Sequence, residues 1–242
     1  MKLLRKTIRR LILEGLKFEE MGNLCLYEGK WKGDDHYVLF HLGFIDDLRH
    51  ITGLPYQASK LGDESEMIYG LISVKNDHWP TAPCNDAGIV NFSAAKPGWG
   101  PTMYDIAMGL HPDGLIADRD QVSYDAFGLW KFYKEKRPDI EKKPLDHFQY
   151  EWTDDGGDDC MPGSDGKYLP DRWAYGDVRS HDDFLKDPLS WSYNRGPVPN
   201  MGQLRQNWDL FESVMEEDGI EFVDETFWVK LSIAFFDKYY EG

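Results

Sequence analysis

Between Gly88 and Arg137 the chain reads strand, Gly-rich turn, helix, strand, helix: GIVNFSAA, KPGWGP, TMYDIAMGL, GLIADR, SYDAFGLWKFYKEKR. Apolar runs bounded by turn residues mark the strands, and helical spacing marks the segments between them. This alternation predicts an α/β domain. The turn constrains it further. Gly98 and Gly100 stand directly before a helix, so backbone amides and the positive end of the helix dipole face one place, where an anion can sit. Glycine at both positions allows close approach of a pyrophosphate and tolerates positive φ. Pro101 suits the first helical turn, where its missing amide costs least. Two nucleotide sites are excluded by spacing. The GxxxxGK[ST] of a P-loop is absent, and Met103 stands where a dinucleotide GxGxxG needs its third glycine.

Composition limits the remaining classes. The 242 residues carry a formal charge of −16, with 41% hydrophobic and 14% aromatic residues, enough for a packed core. No apolar run approaches the roughly 18 residues of a membrane span. So acidic a surface repels phosphates, so direct nucleic-acid binding is not expected. It favours cationic ligands such as amines, or else serves solubility alone. Cys25, Cys84 and Cys160 lie far apart with no CxxC, and their odd number leaves one unpaired. This predicts neither a disulfide framework nor a zinc site and suits a reducing cytoplasm. The histidines are scattered without HExxH, and no metal site is expected.

The chain divides into three regions. Residues 1–22 contain a basic amphipathic helix in which Lys2, Arg5, Lys6, Arg9, Arg10 and Lys17 oppose only Glu14, with Leu4, Ile8, Leu11 and Ile12 as one apolar stripe. A docked first helix, a membrane-surface or targeting helix, and a processed leader all fit it. Residues 23–143 form the core. Tyr37–Leu42, Glu66–Val74 and Gly88–Ala95 read as strands, Asp46–Thr52 as a short helix, Pro101–Leu110 and Ser123–Arg137 as helices, and Leu115–Ala117 as a buried strand. Ser123 is a good N-cap and Pro138 a helix stop. Residues 144–242 are an acidic, aromatic-rich extension. Between Pro144 and Ser190 the composition suits a long irregular segment, after which Gln203–Glu217 and Asp224–Tyr240 return to helical spacing.

The runs GWGPTMYDIAM (98–108) and GLIADRDQVSYDAFGLWKFY (114–133) make the chain resemble the GCN5-related N-acetyltransferase superfamily. More narrowly it resembles the small members encoded by tailed bacteriophages. The likeness covers roughly Tyr37 to Arg137. It implies a mixed central sheet flanked by helices, and the irregular and helical C-terminal extension lies outside the likeness. It also implies acetyl-CoA as co-substrate and acyl transfer to an amine on a small molecule or protein. Gly88–Ala95 becomes the strand whose backbone, at Phe92 and Ala94, binds the pantetheine arm. Lys96, Gly98, Trp99, Gly100 and Thr102 belong to the pyrophosphate turn, and Leu115–Ala117 is the strand that splays away to open the cleft.

For chemistry the resemblance needs a base for the amine proton, amides for the oxyanion and an acid for the thiolate. Asp118 and Ser93 are candidates on or after the strands, and Tyr133 is the candidate acid. The chain departs from the pattern twice: Ala95 takes the usual Gln/Arg position of the turn, and Trp130 takes the usual Tyr position. Asp118 reads equally as a partner of Arg119.

A second class of function is a phage virion or internal head protein that reuses the fold without catalysis, with phage structural proteins as partners. Localisation is then the host cytoplasm or the virion. Leu11-Ile12-Leu13-Glu14-Gly15 is similar to capsid-targeting leaders cut after Glu, so Met1–Glu14 is a candidate leader. The acidic run Asp154–Asp159 fails as an EF-hand, because Asp159 takes the position that requires glycine.

Overall fold

The computed structural model describes residues 18–44, 67–76, 84–118, 122–145, 155–160 and 185–218. The N-terminal basic helix and leader, Asp46–Thr52 and Asp224–Tyr240 lie outside these residues. The fold is α/β, built on one mixed seven-stranded sheet in the order β1-β2-β3-β4-β5-β7-β6. Its strands are β1 (Leu24–Trp31), β2 (Asp34–His41), β3 (Ile68–Lys75), β4 (Gly88–Ala95), β5 (Leu115–Ala117), β6 (Glu141–Pro144) and β7 (Trp191–Asn194). The helices are α1 (Gly100–Leu110), α2 (Tyr124–Lys136) and α3 (Met201–Glu217). Among the described residues no helix is long and apolar enough to cross a membrane.

The chain divides into two compact units. One comprises Met1–Ile72, Ser93–Tyr104 and Pro199–Gly242; the other comprises Ser73–Phe92 and Asp105–Val198.

In the first unit β1 and β2 form an antiparallel hairpin in which Trp31 pairs with Asp34. Lys32 and Gly33 between them take φ of 52° and 95°, as a two-residue turn matched to strand twist requires. β1 begins with the buried run Leu24–Leu26 and then alternates half-buried with exposed residues. Sequence patterning did not anticipate β1, because Gly29 and two charges interrupt its second half. The α3 stripe of Leu204, Phe211 and Met215 is buried at helical spacing, as its periodicity predicts. Trp208 packs on Tyr27 at 5.2 Å between ring centroids, and Phe211 on Phe40 at 5.0 Å. Asn207 shares this buried face because its amide nitrogen donates to the Gly22 and Leu24 carbonyls, at 3.1 and 2.7 Å.

In the second unit β4 and β5 run parallel, with Gly88, Ile89 and Val90 opposite Leu115, Ile116 and Ala117. β7 lies antiparallel between β5 and β6. β7 comes from the region expected to be an extension, so residue 144 is not the end of the sheet. Sequence patterning also missed β6 and β7, whose four residues each are too few to show a period. At Gly114, φ is +87° and an added Cβ would meet the Tyr193 carbonyl oxygen, so only glycine fits beside β7. α2 starts where expected: the Ala126 amide donates to the Ser123 hydroxyl at 3.2 Å. Its buried residues Trp130 and Tyr133 gather on Tyr193, with ring centroids 5.1 and 6.3 Å away.

The cysteine reading is corrected. Cys84 and Cys160 form a disulfide across 76 residues, with their Cα atoms 4.5 Å apart. That leaves buried Cys25 as the free thiol. Sequence separation carries no information about such an approach, and cysteine usage no longer speaks for a reducing compartment. In the described part of the acidic run, Asp155–Asp159, the Asp155 carboxylate accepts the Gly157 amide at 3.0 Å.

Candidate functional site

β4 leads into the turn expected to hold an anion. The Lys96 amide donates to the Tyr69 carbonyl at 2.9 Å, and the Trp99 amide closes the turn onto the Lys96 carbonyl at 2.9 Å. The first helical bond then runs from the Met103 amide to the Trp99 carbonyl at 3.1 Å, so Gly100, Pro101 and Thr102 make the opening turn of α1. Gly98 takes φ +87°. Among the described residues, the amides of Gly98 and Gly100 have no hydrogen-bond partner. A Cβ built at either glycine meets nothing within 4 Å, so the outer side of the turn is open. Open amides at the positive end of a helix are the kind of groups that can donate to an anion.

The inner side of the turn is packed. Trp99 is buried with its ring against Tyr69 at 4.6 Å, so it supports the turn from beneath. Lys96 Nζ lies 4.6 Å from the centroid of the same Tyr69 ring, which holds a positive charge at the turn. Ala94 and Thr102 are buried, and Phe92 is half-buried. Ser93 and Tyr104 join β4 to α1 through a hydroxyl–hydroxyl bond of 3.0 Å. The turn, Ser93 and Tyr104 thus belong to one unit.

The other unit holds Tyr133 and Asp118. Asp118 follows β5 and is half-buried; Arg119, its alternative partner, lies outside the described residues. Tyr133 has no exposed surface, and its hydroxyl donates to Asp105 Oδ1 at 2.9 Å. Trp130, at the position where the family resemblance expects Tyr, is also core.

Asp105 organises a buried ionic cluster that sequence reasoning missed. Arg137 donates through Nη1 and Nη2 to its two oxygens, at 3.3 and 3.0 Å. Arg195 Nη1 reaches Oδ2 at 2.6 Å, and Arg137 extends to Asp139 at 2.6 and 2.7 Å. Burial pushes the Asp105 carboxyl up from its ordinary value against the downward pull of Arg137, Arg195 and Tyr133. For Arg137 burial acts to lower the guanidinium, but the bonds to Asp139 and Asp105 outweigh it and the net shift is upward. One direction favours a neutral acid and the other a charged base. Four hydrogen bonds, three of them from guanidinium groups, converge on two carboxylate oxygens and decide for the ionised pair. The signal for this cluster was a lone acid in the apolar helix TMYDIAMGL, since a charge on a buried face needs partners.

Compared with protein-family models, curated proteins and solved structures, the chain matches none of them.

Proposed function

We propose that the chain is an acyl-CoA-dependent N-acyltransferase that moves an acetyl group to an amine. The observation that carries this reading is the Lys96–Thr102 turn. It presents the unclaimed amides of Gly98 and Gly100, beside the Lys96 charge, at the head of α1. Those groups suit the pyrophosphate of a CoA. A second observation supports it. β4 pairs with β5 only through Val90 and continues as Asn91–Ala95, so strand backbone at Phe92 and Ala94 extends past that pairing toward the turn. This is where the resemblance puts the pantetheine arm.

In the proposed reaction the neutral amine attacks the thioester carbonyl, a C–N bond forms, and the C–S bond breaks to release the CoA thiolate. The amine gives up one proton to solvent and the thiolate takes one back from it, so the reaction releases neutral CoA thiol. The hydroxyl pair Ser93–Tyr104 adjoins the turn within its own unit and supplies a polar contact there. The charge of −16 draws a cationic amine toward the protein.

The burial of Tyr133, whose proton already serves Asp105, favours a second reading: a phage virion or internal head protein that keeps the fold without catalysis. Calorimetry with acetyl-CoA and with CoA separates the two. Wild type should bind both, and Gly100→Asp should bind neither while remaining folded, because its Cβ meets nothing within 4 Å. Absence of binding by wild type refutes the acyltransferase reading. Equal affinity in Gly100→Asp refutes the turn as the phosphate site.

A further inference from the structure

Just before β4, Cys84, Asn85 and Asp86 take φ of 49°, 60° and 57°. L-residues enter this left-handed region at a cost and normally one at a time, so three in succession need external support. Much of that support comes from one short segment. The Cys84 amide donates to the Asp159 carbonyl at 2.8 Å, the Asn85 amide donates to the Gly157 carbonyl at 2.7 Å, and Cys84 is bonded to Cys160. On the other side the Asn85 side chain donates to the Pro144 carbonyl and the Ser192 hydroxyl, at 3.3 and 3.2 Å.

We propose that Cys84–Cys160 is a gated thiol–disulfide switch. Oxidised, it clamps residues 155–160 onto the left-handed turn at the head of β4. Reduced, it lets both segments relax. The gate is burial. Both cysteines are without exposed surface, in an apolar cluster with Ala87, Ile89, Ile116 and Leu145, so a reductant reaches sulfur only after residues 155–160 lift. That lift breaks the two backbone bonds from Cys84 and Asn85, and Asp155, Gly156 and Gly157 already face solvent.

The chemistry is a two-step exchange with a dithiol reductant. Its thiolate attacks one sulfur, the S–S bond breaks, and the other cysteine leaves as a thiolate. The second thiol of the reductant then displaces the first cysteine, giving a cyclic disulfide and two protein thiols. Oxidation by a small disulfide such as glutathione disulfide reverses this. The apolar cluster around the sulfurs admits a neutral reductant more readily than a charged one. A neutral dithiol should therefore open the bond faster than an anionic thiol of equal potential. The switch depends on no part of the acyltransferase reading.

The test uses the full chain, oxidised with glutathione disulfide or reduced with dithiothreitol, then alkylated for thiol counting and followed by amide hydrogen exchange. The oxidised protein should show Cys25 as its free thiol after denaturation, and reduction should add Cys84 and Cys160. Exchange should then rise by about tenfold or more in peptides covering 84–90 and 155–160, while the β1–β2 hairpin and α3 keep their protection. Cys160→Ser should show the reduced pattern without dithiothreitol and ignore its addition. Three free thiols after oxidation, unchanged exchange on reduction, or loss of protection throughout the chain would each overturn the proposal, the last by making the bond a general staple.

Discussion

Replacing Tyr133 by Phe removes one hydroxyl from the centre of the second unit and keeps the ring. That hydroxyl donates to Asp105 Oδ1 at 2.9 Å and has no access to water. Its loss does not orphan the carboxylate. Oδ1 keeps Arg137 at 3.3 Å, and Oδ2 keeps Arg137 and Arg195 at 3.0 and 2.6 Å. A hydrogen bond to a charged group contributes about 1.5–3 kcal/mol, and the surviving donors put this one near the lower end. For a chain of this size about 1.5–2 kcal/mol corresponds to a Tm decrease of roughly 3–8 °C.

Urea unfolding followed by tryptophan fluorescence reports it directly, since Trp130 lies 6.2 Å from Tyr133 between ring centroids. A double-mutant cycle with Asp105→Asn should give a coupling energy of about 1 kcal/mol or more, as expected for residues in contact. A stability change below about 0.5 kcal/mol with no coupling would refute the buried bond. The same variant addresses the chemistry. If Tyr133 protonates the departing thiolate, kcat should fall roughly 10- to 1,000-fold with little change in the acetyl-CoA KM. If Tyr133 serves only as scaffold, turnover should follow the folded fraction.

Three further outcomes are expected. Gly114→Ala should destabilise the protein by about 3 kcal/mol, combining overpacking against the Tyr193 carbonyl with a left-handed backbone, and a shift under about 1 kcal/mol in thermal unfolding would refute the close approach. The side-chain bond from Arg137 holds Asp139 below the usual carboxylate range, so the stability it contributes is present above the unfolded value near 3.9 and is lost as pH falls through the lower folded value. Asp139 is half exposed, so this contribution is about 1 kcal/mol or less, and Asp139→Asn should flatten the acid limb of the stability profile. Burial pushes the Cys25 thiol up to about 12, so iodoacetamide at pH 8 should label it only after unfolding; rapid labelling of native protein would contradict its place in the core.

The stretch from β4 to α2 was legible residue by residue because its determinants are neighbours in sequence. Gly98 marks the turn, Pro101 opens the helix after it, and Ser123 caps α2. The apolar stripe of α3 was legible for the same reason. β1 was not, since its hairpin depends on Lys32 accepting a positive φ that lysine does not advertise. Asp105 was missed although it is an acid in an apolar helix, because its partners Arg137 and Arg195 lie 32 and 90 residues away.

The sequence alone determined the α/β alternation, the approximate bounds of α1, α2 and α3 and the glycine turn, because hydrophobic period, capping and backbone freedom act over a few residues. The tertiary structure decided which segments meet. It placed β7 between β5 and β6, with Glu141 opposite Asn194, joined Cys84 to Cys160, and assigned the Tyr133 hydroxyl to Asp105. Each of these contacts closes a long loop, and what selects it is the burial of apolar surface and the pairing of buried polar groups across the whole domain, which no local pattern encodes.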